Sequence, residues 1–157
     1  MRLLSLALLF ISSISSIAGA VPAPAGYYRF PALHGDTLLF TAQGDLWKMS
    51  LRSGAAQPLT SHPGEESHAA ISPDGKTVAF SATYEGPIEV YIMPIDGGRP
   101  TRLTYEGEAA WVVGWTPEGK VLYTTRRYST LPESQLATVD PKTLTCSLLP
   151  LSQAMAM

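Results

Sequence analysis

One pattern of strands and turns occurs three times in this chain, and it leaves few folds open. The central copy is the clearest. Ser67-His-Ala-Ala-Ile71, Thr77-Val-Ala-Phe-Ser-Ala82, Glu89-Val-Tyr-Ile-Met93 and Thr101-Arg-Leu-Thr104 are short apolar or β-branched runs, separated by Pro73-Asp-Gly75, Tyr84 to Pro87 and Asp96-Gly-Gly98. Such runs broken by Gly, Pro and Asp read as four strands joined by tight turns. In the first copy Phe40 answers Phe80, Trp47 answers Tyr91, and Leu59-Thr60 answers Leu103-Thr104. The interval, about 40 to 45 residues, is that of a four-stranded propeller blade.

The third copy is looser. Trp115-Thr-Pro-Glu-Gly119 stands for Ile71-Ser-Pro-Asp-Gly75, Val121 to Thr125 for the strand through Phe80, and Gln135 to Val139 for Glu89 to Met93. Thr143 to Leu149 takes the place of Pro100 to Thr104, and the loop Arg126 to Ser134 is longer than its counterpart. The expected fold is all-β, a partial β-propeller of about three four-stranded blades over 28–154, with repeats near 28–66, 67–109 and 110–154. Strands such as Val78-Ala-Phe80 and Val90-Tyr-Ile-Met93 are apolar on both faces, as strands packed between two neighbouring blades must be. A fourth blade is expected to begin after Pro150, so the chain reads as a fragment of a longer ring.

Arg2, the apolar run Leu3 to Ile11 and Ala18-Gly-Ala20 have the layout of a secretory signal peptide over 1–20, cleaved after Ala20. Ser12, Ser13, Ser15 and Ser16 dilute the apolar run below the roughly 20 residues a membrane span needs. Residues 21–27 form a Pro/Ala/Gly linker. The expected location is therefore periplasmic or extracellular. A net charge of −2 gives no electrostatic footprint for nucleic acid.

The stretches Ile71-Ser-Pro-Asp-Gly-Lys-Thr-Val-Ala-Phe80 and Glu89 to Gly98 resemble the Pro-Asp variety of WD40-like repeat. That repeat occurs in tricorn peptidases, in the periplasmic Tol-system propeller protein and in prolyl-oligopeptidase relatives. Tyr28-Arg-Phe-Pro31, His34-Gly-Asp36, Gly44-Asp-Leu-Trp47, Leu59 to Ser67, Tyr84-Glu-Gly-Pro87 and Val113 to Pro117 are more specifically similar to the start of the first propeller of a tricorn-type serine peptidase. The resemblance implies a parent hydrolase whose propeller gates or guides peptides, with a PDZ-like and a catalytic region elsewhere. It implies peptides or proteins and the parent's remaining domains as partners, with homo-oligomers as a further possibility. A non-enzymatic envelope propeller binding protein partners and the gating propeller of a prolyl-oligopeptidase-type hydrolase are the alternatives.

No catalytic, cofactor-binding or metal-binding residue is assigned to this chain. His62-Pro-Gly-Glu-Glu-Ser-His68 places two imidazoles and two carboxylates close together, but Pro63-Gly64 makes a turn into a strand rather than a ligand-presenting helix or knuckle. There Glu65 and Glu66 are expected in solvent, with His68 starting the next inner strand. Ser72 and Ser81 lie in no Gly-x-Ser-x-Gly setting. Cys146, the single cysteine, reads as a small apolar residue near a strand end. Trp47, Trp111 and Trp115 are read as inter-blade core rather than channel lining. Arg126-Arg127 with Tyr128 is the best candidate contact surface, although a solvated basic loop is the plainer reading.

Overall fold

The computed structural model describes residues 26–150. The signal segment expected over 1–20, most of the linker, and 151–154 of the third repeat lie outside them. Within them are twelve strands in three four-stranded antiparallel sheets, each sheet meandering in chain order. The first holds β1 (Arg29–His34), β2 (Thr37–Ala42), β3 (Asp45–Ser50) and β4 (Ala56–Pro58). The second holds β5 (Glu66–Ile71), β6 (Thr77–Ala82), β7 (Glu89–Pro94) and β8 (Thr101–Arg102). The third holds β9 (Ala110–Trp115), β10 (Val121–Thr125), β11 (Gln135–Val139) and β12 (Cys146–Leu148). β1 packs beside β5 and β5 beside β9, so the sheets fan outward from their first strands as propeller blades do. The expected all-β partial propeller of three blades is the observed fold.

The spacing of the aromatics follows from register. Phe40 lies opposite Trp47 and Phe80 opposite Tyr91 in their hairpins. Tyr123 faces Ala137 at the corresponding place in the third. Because successive side chains point to opposite faces, Val78, Phe80 and Ala82 of β6 pack toward the first blade and Ala79 packs toward the third. Leu39 and Leu46 meet Phe80 in one inter-blade core, while Val121 and Tyr123 meet Ala79 and Val90 in the other.

The repeated Leu-Thr has an equally local cause. Leu59 N–H donates to Leu46 O at 2.8 Å and Leu103 N–H to Val90 O at 2.8 Å, which docks the outermost segment on its neighbour. The Thr60 and Thr104 hydroxyls then each accept a backbone N–H, from Leu46 and Val90 respectively, both at 2.9 Å. The third blade keeps the first bond, Leu149 N–H to Leu136 O at 2.9 Å, but has Pro150 where the threonine would stand.

The Pro-Asp-Gly turn is held from within and from the preceding blade. Ser72 Oγ donates to Asp74 at 2.6 Å, and Thr77 N–H donates to Ser72 Oγ at 2.9 Å. Gly75 sits at φ +72°, and a Cβ there would approach the His34 ring to 2.9 Å. The His34 ring nitrogen Nε2 in turn lies 3.2 Å from Pro73 O. The positive φ favours glycine here, and any side chain would also have to displace the His34 ring of the first blade.

Candidate functional site

The inner strands carry a continuous stack of rings across all three blades. Phe30 in β1 and His68 in β5 sit at register shifts, with φ of +52° and +53°, a left-handed conformation uncommon outside glycine. The Phe30 ring stacks on His68 with centroids 3.9 Å apart, and His68 meets Trp111 of β9 at 4.8 Å. Burial, followed by the nearby Arg29 charge, holds the His68 imidazole below its ordinary 6.5, so it is neutral at pH 7. Ser67 Oγ lies 3.0 Å from its Nδ1. All three residues of the stack are half-buried.

Three buried carboxylates sit at the blade junctions, of which Glu66 and Glu106 bond across them and Glu89 holds the end of the second blade. Glu66 accepts from the Thr60 hydroxyl, from Leu46 N–H at 3.0 Å and from the Tyr84 hydroxyl of its own blade. Glu89 accepts from Thr104 at 2.5 Å and from Glu106 N–H at 3.2 Å, and pairs with Arg102 at 2.9 Å. Glu106 accepts from Tyr123 Oη at 2.8 Å. The expectation that Glu66 is solvated is therefore corrected. Glu66 is 1 % exposed and opens β5, two residues ahead of His68, because Thr60, Leu46 and Tyr84 together supply the donors a buried carboxylate needs. Burial raises its proton affinity despite these donors. Glu65 is exposed as expected.

The remaining candidates separate in space. His62 stacks on Tyr84 at 3.9 Å, whereas His68 lies in the inner stack. Among the described residues no three His, Cys, Asp or Glu side chains gather in a metal-holding group. Ser81 is buried and bridges blades two and three, donating to Ala110 O at 3.1 Å and accepting Val112 N–H at 2.8 Å. Ser72 belongs to its turn. Cys146 opens β12, packs half-buried against the second inter-blade core, and has its thiol pushed up by burial. Trp115 fits the core reading, donating Nε1–H to Ala70 O at 3.0 Å across the blades. Trp111 departs from it by joining the inner stack, and Trp47 lies on the face of the first blade that points away from the second. In the long third loop, Arg126 and Tyr128 are exposed, while Arg127 reaches back to Tyr105 O at 2.9 Å and pairs with Glu106 at 3.5 Å. All three side chains are exposed, so the solvated basic loop is what the structure shows, with Arg127 anchoring it to the blade junction.

The profile of the family described as the tricorn protease N-terminal beta propeller domain matches residues 25–157. The chain belongs to that tricorn family. Tricorn protease homolog 1 of Streptomyces coelicolor is 41% identical over 102 residues, covering 64% of this chain and 10% of the relative. A putative tricorn-like protease N-terminal subunit of Sulfurisphaera tokodaii is 29% identical over 113 residues, covering 69% of this chain and 57% of its own length. The chain thus spans about a tenth of the full-length tricorn homolog it matches. The tricorn protease crystal structure superimposes with a TM-score of 0.64 at 23% identity, over 74% of this chain and 12% of that one. A putative TolB of Agrobacterium tumefaciens reaches 0.70 at 24% identity, over 79% and 46% of the two chains. At these identities the structural likenesses establish the fold, and the sequence matches carry the family.

Proposed function

We propose that this tricorn-family chain forms part of the wall of a propeller ring that guides peptides in an exported serine peptidase. The observation that carries this reading is the Phe30–His68–Trp111 stack, which lines the inner strands of all three blades with rings able to pack against an extended peptide without selecting its sequence. The family match supports a peptidase parent. On this reading the nucleophile and its base belong to other parts of the parent, and the chain's partners are peptides and the parent's remaining domains. Export rests on the layout of Arg2, Leu3 to Ile11 and Ala18-Gly-Ala20.

Peptide titrations followed by tryptophan emission test the guiding role. Extended peptides are expected to shift the emission saturably, and Trp111→Leu with His68→Ala is expected to abolish the change. Binding untouched by both substitutions contradicts the reading. So does hydrolysis of fluorogenic peptides that is lost on mutating a serine or histidine of this chain. Export is tested by amino-terminal sequencing of protein recovered from the periplasm: Val21 is expected first, and Met1 contradicts it.

A further inference from the structure

The two ends of the row of blades carry faces whose counterparts meet at the first junction. There Leu39, Leu46 and Leu59 of the first blade pack against Phe80, Ala82, Tyr91 and Met93 of the second. The outward face of the third blade repeats the leucines. Thr124 lies opposite Leu136 as Thr41 lies opposite Leu46, and Leu122 stands two residues before Thr124 as Leu39 does before Thr41. Leu149 N–H docks on Leu136 O at 2.9 Å as Leu59 N–H docks on Leu46 O at 2.8 Å. Val121, Tyr123 and Ala137 face the second blade, so by strand alternation Leu122 and Leu136 face away from it.

The outward face of the first blade repeats the other side of that junction. Phe40 and Trp47 face each other as Phe80 and Tyr91 do, and Ala42 and Met49 occupy the places of Ala82 and Met93. One end thus carries three leucines with a threonine, and the other a phenylalanine, an alanine, a second aromatic and a methionine. These are the two partners of the first junction, position by position. The second junction is built differently, with Ala79 and Val90 against Tyr123 and Ala137. Both end faces lack full cover among the described residues. Leu122, Leu136, Trp47 and Met49 are half-buried, whereas Leu39 and Leu46 are 0% exposed and Tyr91 and Met93 are 3% exposed. Apolar faces left open in this way mark interaction surfaces.

We propose that the outward face of the third blade receives the first blade of a second copy of this chain, and the reverse, so that two copies close one ring. Each copy brings three blades, and the resulting six lie within the four to eight that propellers use. A head-to-tail contact that closes on itself ends growth at the dimer. Closure of this kind holds whether or not peptides pass along the inner strands. The end contact lacks the carboxylate bridge of the first junction, because Pro150 stands where Thr60 meets Glu66. It is therefore weaker than the junctions within the chain, and the dimer comes apart on dilution to single chains whose end blades each keep one bare face.

Sedimentation velocity of the full chain across a wide concentration range tests this directly. A monomer–dimer equilibrium with no larger species is expected. Trp47→Lys and Leu136→Lys each place a charge on one end face, at half-buried sites. Either variant alone spoils both contacts of a dimer and is expected to stay monomeric. An equimolar mixture restores one intact contact, between the unaltered faces, and is expected to form dimers again. If circular dichroism shows a lysine variant to be unfolded, Trp47→Leu and Leu136→Ala replace the pair, and each is expected to raise the dissociation constant roughly tenfold or more. A chain that stays monomeric at the highest concentration overturns the proposal and leaves both faces to other blades of a longer chain. Species growing past the dimer, a folded variant that dimerises as the unaltered chain does, or folded lysine variants that fail to associate on mixing overturn it as well.

Discussion

The same pair of aromatic residues meets two different environments in adjacent blades. Phe80 and Tyr91 face each other across β6 and β7, and both are buried because the first blade packs over them. Phe40 and Trp47 face each other in the same register of β2 and β3, on the side of the first blade turned away from the second. There the cover among the described residues is thin. Phe40 lies under the edge of Tyr28 at 5.2 Å, Tyr28 itself is exposed, and the Trp47 indole N–H is buried without a partner beside a hollow of about 740 Å³. Strand chemistry and pairing are alike in the two places. What differs is the neighbour: Phe40 is 8% exposed under Tyr28 and Trp47 is half-buried, whereas Phe80 and Tyr91 are 0% and 3% exposed under a whole blade, so how completely the pair is buried depends on what packs over its strands.

The largest expected effect follows from that difference. Phe80→Ala removes a fully buried ring from a two-sided core and is expected to lower stability by roughly 3 to 5 kcal/mol. Phe40→Ala is expected to cost roughly 1 to 2 kcal/mol, since the vacated space opens onto a hollow that can collapse. Urea unfolding of the two variants measures both. Equal losses would mean that the outward face of the first blade is as well covered as the junction.

A smaller effect separates the junction by pH. The Glu66 carboxyl is raised above its ordinary 4.5 by burial, against the donors from Thr60, Tyr84 and Leu46 N–H. The folded chain therefore holds this proton more tightly than the unfolded one. The resulting stabilisation is complete below pH 4.5 and is lost as pH rises through the folded value. Unfolding free energies across that interval are expected to fall in the parent, and Glu66→Gln is expected to flatten this part of the profile. An unchanged slope in the variant would assign the dependence elsewhere.

The smallest effect belongs to the inner strands. His68 is depressed below 6.5, first by burial and then by Arg29, so its contribution to stability is whole above pH 6.5 and is lost as pH falls through the folded value. Because the imidazole lies 4.8 Å from Trp111, emission from that indole is expected to titrate with a midpoint below 6.5. The transition is expected to vanish in His68→Gln and in Trp111→Phe. A midpoint at or above 6.5 would place His68 in solvent.

What the sequence revealed and what it concealed divide along range. The recurrence of Phe40, Trp47 and Leu59-Thr60 as Phe80, Tyr91 and Leu103-Thr104 and the Pro73-Asp-Gly75 turn were legible in the sequence, and the structure adds that the aromatics of each copy face each other within one hairpin. Glu66 was misread as solvated because its donors come from twenty and six residues before it and eighteen after it, and no local pattern marks a carboxylate whose donors come from a strand and two loops. The inner stack escaped for a different reason. Phe30 and His68 reach it through non-glycine residues in left-handed conformation, which no turn signal announces, and Trp111 completes it from a third strand. The anchor of Arg127 within its exposed loop was hidden because its partner Glu106 precedes the whole of β9 and β10.

Hydrogen exchange resolved by strand addresses the central claim, that a blade's stability is conferred by the blades on either side of it. The second blade packs against a neighbour on both faces. The amides of β6 and β7 are therefore predicted to exchange most slowly in the chain, with β2 and β3 and then β10 and β11 measurably faster. Equal protection of β2–β3 and β6–β7 would contradict the account, because the first blade would then be as stable with one packed face as the second is with two.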